Sequence, residues 1–196
     1  YLSIYIQYYS TYKGKITTKT RPSLFTQPLF PTRAVVFDFD GTLTHRNEDL
    51  TTWEKIWLAL GYDINDCSNY HREYSEKRIS HLEWCNITCT KFREKDLKKS
   101  QLLDLAKAIE LVPGTKETLS LLHANNVKHY ILSGSIKQII KHVLGELYGL
   151  FEEVKGNDLI FDRNGRLVQI RGTKYDFEGK ANFLKSVITD NFCSPL

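Results

Sequence analysis

Four apolar residues, Ala34-Val35-Val36-Phe37, run straight into Asp38-Phe39-Asp40-Gly41, and no other part of the chain restricts its fold as much. A short continuous apolar run reads as a strand covered on both faces, the situation of a parallel strand in an α/β sheet. Ligands of open α/β sheets lie beyond the carboxyl ends of the strands. Asp38 and Asp40 stand at that end, two residues apart, so both side chains can emerge on the same side. Gly41 lets the backbone turn sharply, and Thr42 can hydrogen-bond the turn. Two carboxylates this close repel, and a shared divalent cation reduces that cost. Asp-x-Asp-Gly also occurs in calcium loops and ordinary turns, and its position after an apolar strand is what distinguishes it here.

Beyond Thr44 the pattern becomes helical. Thr51-Thr52-Trp53-Glu54 offers a capping box, Ile56, Trp57 and Leu60 form an apolar stripe, and Gly61 supplies a stop. Further helical stretches fall around Cys67–Lys77, Ser80–Arg93 and Ser100–Ile109, so residues 45–110 read as an all-helical insert. Pro113-Gly114 restarts an alternating pattern: a helix over Thr115–Ala124, a strand over Val127–Leu132, and a helix from Ser135. The last has apolar residues at Ile136, Ile139, Ile140, Val143, Leu144 and Leu147, at helical spacing. Leu159–Phe161 and Leu167–Ile170, joined through Asn164-Gly165, predict a hairpin. A final helix starts near Gly179-Lys180, with Phe183, Leu184, Val187 and Ile188 on its inner side. A strand, a helical excursion, then alternating strands and helices predict an α/β fold around a parallel sheet.

Two later segments carry further chemistry. Ile131-Leu132-Ser133-Gly134-Ser135 places a hydroxyl at a strand tip before a new helix, whose free N–H groups suit a phosphate. Helix capping by Ser133 or Ser135 is a compatible, simpler reading. Lys180 follows Glu178-Gly179 and sets a fixed positive charge at the head of the last helix, although alone it reads as a solvated lysine.

Taken in order, DFDGTLT, ILSGS and EGKANFL resemble the first three motifs of the haloacid dehalogenase (HAD) superfamily. The helical insert resembles the cap that phosphoserine phosphatases and their relatives place after the first motif. The resemblance covers about Arg33 to Ile188. It implies a Rossmann-like parallel sheet core (34–44 and 111–196) with a helical cap (45–110) inserted after the first strand. It further implies that Asp38 is the nucleophile and forms an aspartyl-phosphate, and that Asp40 is the general acid and base. Thr42, Ser133, Gly134 and Lys180 would bind phosphate. Mg2+ would be the cofactor, held by the Asp38 carboxylate and at Asp40 by the backbone carbonyl. Dehalogenases of the superfamily lack the second acid and its transport ATPases carry threonine there, so Asp40 favours phosphate-ester hydrolysis or transfer, and a small phosphorylated metabolite is the expected substrate.

Charge composition narrows the partners. The chain has 27 basic and 23 acidic residues, a net charge of +4. Lys13, Lys15, Lys19, Arg21 and Arg33 lie in residues 1–33, which contain no acid, leaving 22 basic against 23 acidic residues in the remainder. The body has no broad basic footprint for nucleic acid, and any such binding would fall to the leader. No apolar run is long enough to span a bilayer. The leader, interrupted by Pro22, Pro28 and Pro31, reads as a poorly ordered extension that loosely resembles a transit peptide. Nothing in the spacing of the four cysteines suggests a disulfide framework, so a cytoplasmic location is expected, or an organellar one if the leader is a transit peptide. His81, Cys85 and Cys89, spaced i, i+4 and i+8, read as a part-buried helix stripe in preference to a metal site.

The chain departs from the family pattern in two places. The family's fourth motif is a glycine–aspartate segment on a strand after the lysine-bearing helix, and Asp190 is the one late candidate in Ile188–Leu196. A truncated chain is therefore the expectation, with weaker metal binding, an exposed edge at Ala34–Phe37 and impaired turnover; a non-catalytic interaction module is the alternative. Phosphoserine as the substrate is disfavoured, because Glu48 is displaced by a residue from the family's glutamate and Ile79–Thr90 contains no arginine.

Overall fold

The computed structural model describes residues 34–45, 50–173, 180, 182 and 183. Residues 1–33 and the late positions Leu184, Val187, Ile188 and Asp190 lie outside the described residues, as does Glu48. Four strands, β1 (Ala34–Phe37), β2 (Lys128–Ile136), β3 (Glu153–Phe161) and β4 (Leu167–Arg171), form one sheet in the order β1-β2-β3-β4. The β1–β2 and β2–β3 pairs are parallel, and β3–β4 is antiparallel. The chain is thus α/β with a predominantly parallel sheet, and β1 is an edge of that sheet among the described residues.

Helices α1 (Thr52–Ala59), α2 (Ile64–Ser75), α3 (His81–Glu94) and α4 (Lys99–Ala106) lie between β1 and α5 (Thr115–Ala124); α6 (Lys137–Leu144) follows β2 and runs into a 3-10 turn, Gly145–Leu150. Local chemistry sets these boundaries. Thr51 caps α1 and Ser80 caps α3 through complete capping boxes with Glu54 and Glu83. Gly114, at φ 86°, admits the left-handed turn that opens α5.

One apolar cluster joins the helical insert to the sheet. Trp53, Ile56 and Trp57 of α1, Trp84 and Phe92 of α3 and Leu102 of α4 share it with Ile131, Ile139, Leu159, Leu167 and Ile170. Phe92 is fully buried and sits 6.3 Å from the Trp53 ring and 5.7 Å from the Trp57 ring, centroid to centroid. Cys85 and Cys89 are buried on the inner side of α3, with the Cys89 thiol directed at the Val168 carbonyl of β4. The approach is so close that a Cβ on Gly172 would lie 2.5 Å from the Cys85 sulfur. The cysteine stripe thus packs α3 onto the end of the hairpin. On the other face Ala34 and Leu132 pack with Phe183, so β1 and β2 are covered on both sides, as the continuous apolar run requires.

Behind the parallel strands, His129 is 1% exposed, beside Phe37 and Phe151. Its Nδ1 lies 3.1 Å from the Leu150 carbonyl, an arrangement that suits the neutral ring with its proton on Nδ1, while Nε2 has no partner among the described residues. Burial lowers the imidazole pKa from its ordinary 6.5. The unfolded chain therefore binds more protons than the folded one just below pH 6.5. His129 contributes stability above that value and loses it as pH falls toward the lowered folded-state pKa. Melting temperature should drop over this window more steeply in the wild type than in His129→Phe; parallel curves would refute the assignment.

Helix α2 starts at Ile64, three residues before the expected Cys67, and the boundary between β2 and α6 also differs from the sequence reading. The predicted strand Val127–Leu132 continues to Ile136, and α6 begins at Lys137, not Ser135. The pairing of β2 with β3 shifts register between Leu132 and Ile136, so Ser133, Gly134 and Ser135 form an irregular strand end. A third parallel strand, the first half of β3, also appears where the sequence suggested a hairpin arm alone. Its Val154 and Gly156 alternate with polar residues too weakly to announce it.

Candidate active site

A cavity of about 310 Å³ opens at the carboxyl ends of β1 and β2, where the parallel topology places ligand sites. Asp38, Asp40, Ser133, Gly134, Ser135 and Lys180 line it on the sheet side, while Trp53, Glu54, Cys67, Tyr74 and Trp84 line it from the insert.

Asp38 sits just past the end of β1. Its Oδ1 accepts the Phe39 N–H at 2.7 Å and its Oδ2 accepts from Lys180 Nζ at 2.9 Å. The side chain remains 42% exposed, so the carboxylate is oriented without being enclosed. Lys180 lies 142 positions away in sequence. It is held there because Phe183, one helical turn later, docks against Ala34, Leu132 and the Tyr130 ring.

Asp40 begins a tight turn that Gly41 completes at φ 73°. Thr44 fastens the turn by donating its hydroxyl to the Phe39 carbonyl at 3.2 Å. The Asp40 carboxylate accepts from Thr52 Oγ1 at 2.7 Å, and Ser135 Oγ donates to Thr52 Oγ1 at 3.3 Å. Burial pushes the Asp40 carboxyl above the usual carboxylate range; hydrogen bonds from Thr52 and Ser135 pull it back, and the neighbouring Asp38 charge adds to the rise. Asp40 can therefore carry a proton where an ordinary aspartate has lost it.

Ser133 is buried, and its Oγ accepts the Ser135 N–H at 3.2 Å, leaving its own O–H as a donor. The Gly134 carbonyl accepts from Trp53 Nε1 at 2.9 Å and from Asn157 Nδ2 at 2.6 Å. Asn157, fully buried, accepts in turn from the Thr173 N–H. These bonds hold the irregular end of β2 against both β3 and α1. The cradle expected at a helix N-terminus after Gly134 is consequently displaced: the first turn of α6 lies two residues further on.

Of the residues predicted from sequence, Asp38, Asp40, Ser133, Gly134 and Lys180 converge on one cavity. Thr42 does not join them. It lies on the turn, its N–H bonded to the Phe39 carbonyl, and is not among the described residues that line the cavity. Thr52, Trp53, Glu54, Tyr74, Trp84 and Asn157 went unrecognised as site residues. The capping box marked Thr52 and Glu54 as helix-starting residues, but nothing local placed Thr52 beside Asp40 or Glu54 on the cavity wall.

For a metal, the strand end offers hard oxygens, with Asp38 and Asp40 both lining the cavity. Among the described residues no cluster of three or more histidine, cysteine, aspartate or glutamate side chains could enclose an ion. That donor set suits Mg2+, which commonly takes one or two protein oxygens and completes its octahedron with water and substrate phosphate.

Comparison with known proteins agrees with this architecture. Residues 32–184 match the haloacid dehalogenase-like hydrolase family. This chain belongs to that family. A HAD family hydrolase from Salmonella enterica subsp. enterica serovar Typhi superposes with a TM-score of 0.65 at 17% identity, over 82% of this chain and 53% of the other. This chain thus spans about half the length of the Salmonella protein. A phosphoserine phosphatase in a phospho-aspartyl intermediate analogue form gives 0.62 at 19% identity, over 81% of this chain and 72% of the other. A phosphoserine phosphatase from T. onnurineus, in complex with NDSB-201, gives 0.58 at 21% identity, over 83% and 74% of the two chains. At these identities the superpositions establish a shared fold. No curated protein matches the sequence. No helix among the described residues is long and apolar enough to cross a membrane.

Proposed function

We propose that the protein is a magnesium-dependent phosphatase that hydrolyses a small phosphorylated metabolite through an aspartyl-phosphate on Asp38. The observation that carries this reading is the pairing of two unlike carboxyls in one cavity. Asp38 is exposed and oriented by Lys180, whereas Asp40 is enclosed and biased toward its protonated form. Two acids whose environments differ in this way suit a nucleophile and a proton carrier. Family membership and the fold shared with phosphoserine phosphatases point the same way.

In the first step an Asp38 oxygen forms a bond to phosphorus as the bond to the leaving alcohol oxygen breaks. Asp40 gives its proton to that oxygen. In the second step Asp40, now a carboxylate, takes a proton from water as the water attacks phosphorus, releasing phosphate and restoring Asp38. Lys180 and the Ser133 hydroxyl stabilise negative charge on the phosphoryl oxygens. Asp38 and the Asp40 carbonyl would hold Mg2+, which would supply charge neutralisation when bound. Helices α1–α4 act as a cap over the sheet, and Trp53 Nε1 ties the two together through Gly134.

The test is hydrolysis of p-nitrophenyl phosphate with and without Mg2+. Turnover that requires the metal supports the reading, and turnover unaffected by chelation overturns it.

Thr52 deserves a role in this scheme, because its hydroxyl stabilises the ionised form of Asp40. Thr52→Val removes that stabilisation, so the Asp40 pKa should rise further. The alkaline limb of the pH–kcat profile, where Asp40 loses the proton it must donate, should then move to higher pH. A limb that stays in place or moves down would dissociate Thr52 from Asp40.

A further inference from the structure

We infer that the cavity takes the phosphate monoester of an alcohol bearing a positively charged nitrogen. This rests on the phosphatase reading and concerns the part of the substrate that leaves.

The insert presents an aromatic wall to the cavity. Trp53 and Trp84 meet edge to face with centroids 4.9 Å apart, and Tyr74 lies 6.2 Å from Trp84. The Trp53 N–H is occupied by the Gly134 carbonyl, so the ring offers the cavity its carbon surface. Beside these rings stands Glu54, whose Oε2 accepts the Thr51 N–H at 2.7 Å and whose Oε1 has no partner among the described residues. Its charge is felt across the cavity wall: the Cys67 thiol is pushed up to about 12 by burial and then by Glu54.

Trp84 is stacked on His81 and Trp53 on Phe92, so the half-buried Tyr74 ring is the most exposed aromatic surface of the wall, and the Glu54 carboxylate lining the same cavity adds a fixed negative charge. That combination attracts a cation. A substrate carboxylate would instead meet Glu54 as a like charge. Among the described lining residues the one side chain with a permanent positive charge is Lys180, and it is bound to Asp38. Positive charge thus serves the phosphate and negative charge serves the alcohol portion. His71 adds an imidazole at the exposed rim.

The test compares choline phosphate with its neutral carbon isostere, 3,3-dimethylbutyl phosphate, in the presence of Mg2+. Binding is read by titration calorimetry on Asp38→Asn protein, and kcat/KM on the wild type, with p-nitrophenyl phosphate alongside. The cationic ester should be favoured roughly tenfold in both measurements, within the reach of a desolvated cation against aromatic faces. Glu54→Gln keeps an oxygen for the α1 cap and should reduce the preference to below about threefold; Tyr74→Leu should reduce it also. Equal or better use of the isostere, or a preference undiminished by Glu54→Gln, overturns the inference. If p-nitrophenyl phosphate is hydrolysed and the pair is not distinguished, the inference falls and the phosphatase reading stands. If binding discriminates but nothing is hydrolysed, the cation subsite stands and the phosphatase reading falls.

Discussion

Replacing Asp38 with asparagine should lower kcat for p-nitrophenyl phosphate by about 10³-fold or more, the scale on which loss of a covalent nucleophile acts. The amide is nearly isosteric. It can still accept the Phe39 N–H, but it loses the negative charge that binds Lys180 and attacks phosphorus. Folding should change little, because the side chain is 42% exposed and lies outside both apolar clusters. The decisive companion measurement is trapping of a phosphorylated protein after rapid acid quench. The wild type should yield an acyl phosphate labile to hydroxylamine, and Asp38→Asn should yield none. Retained turnover with a stable fold would remove Asp38 from the nucleophile's role.

Asp40→Asn tests the other carboxyl and should separate two kinds of substrate. For an alkyl phosphate, whose leaving oxygen needs a proton, kcat should fall by about 10²–10⁴-fold, the range of general acid catalysis. For p-nitrophenyl phosphate, whose phenolate departs more readily, the loss in the first step should be smaller, and phosphoenzyme should accumulate because the second step lacks its base. The fold should tolerate the change, since the asparagine oxygen can accept from Thr52 as the carboxylate does. Removing an acid that burial already pushes toward neutrality also relieves repulsion from Asp38. Equal losses on both substrates, without accumulation of phosphoenzyme, would count against proton transfer by Asp40.

Much of this arrangement was legible in residues 34–44. A four-residue apolar run followed by two acids and a glycine specifies a buried strand, a turn and two side chains leaving on one side, all consequences of local stereochemistry. The capping box at Thr51 likewise announced α1, because a cap is a contact between residues three apart. Ser133 and Lys180 were legible as candidates through their motifs.

Where local rules stopped, long-range pairing took over. The end of β2 reads as a helix start, since Ser133 and Ser135 are good capping residues. It remains a strand as far as Ile136 because Asn157 and Trp53 claim the Gly134 carbonyl from either side. Periodicity in β2 carries no record of those partners. Thr42 shows the converse: motif position made it a phosphate ligand, whereas the turn leaves it away from the cavity wall.

The sequence by itself determined the α/β class, the strand that presents Asp38 and Asp40, and the helical excursion that follows. Tertiary structure alone decided that Lys180 would reach Asp38 across 142 positions and that Thr52 would meet Asp40. It also decided that aromatic side chains of α1, α2 and α3 would form one wall. The physical reason is the range of the forces involved. Strand, turn and cap preferences are set within a few residues, whereas charge environment and cavity shape depend on which distant surfaces are buried together.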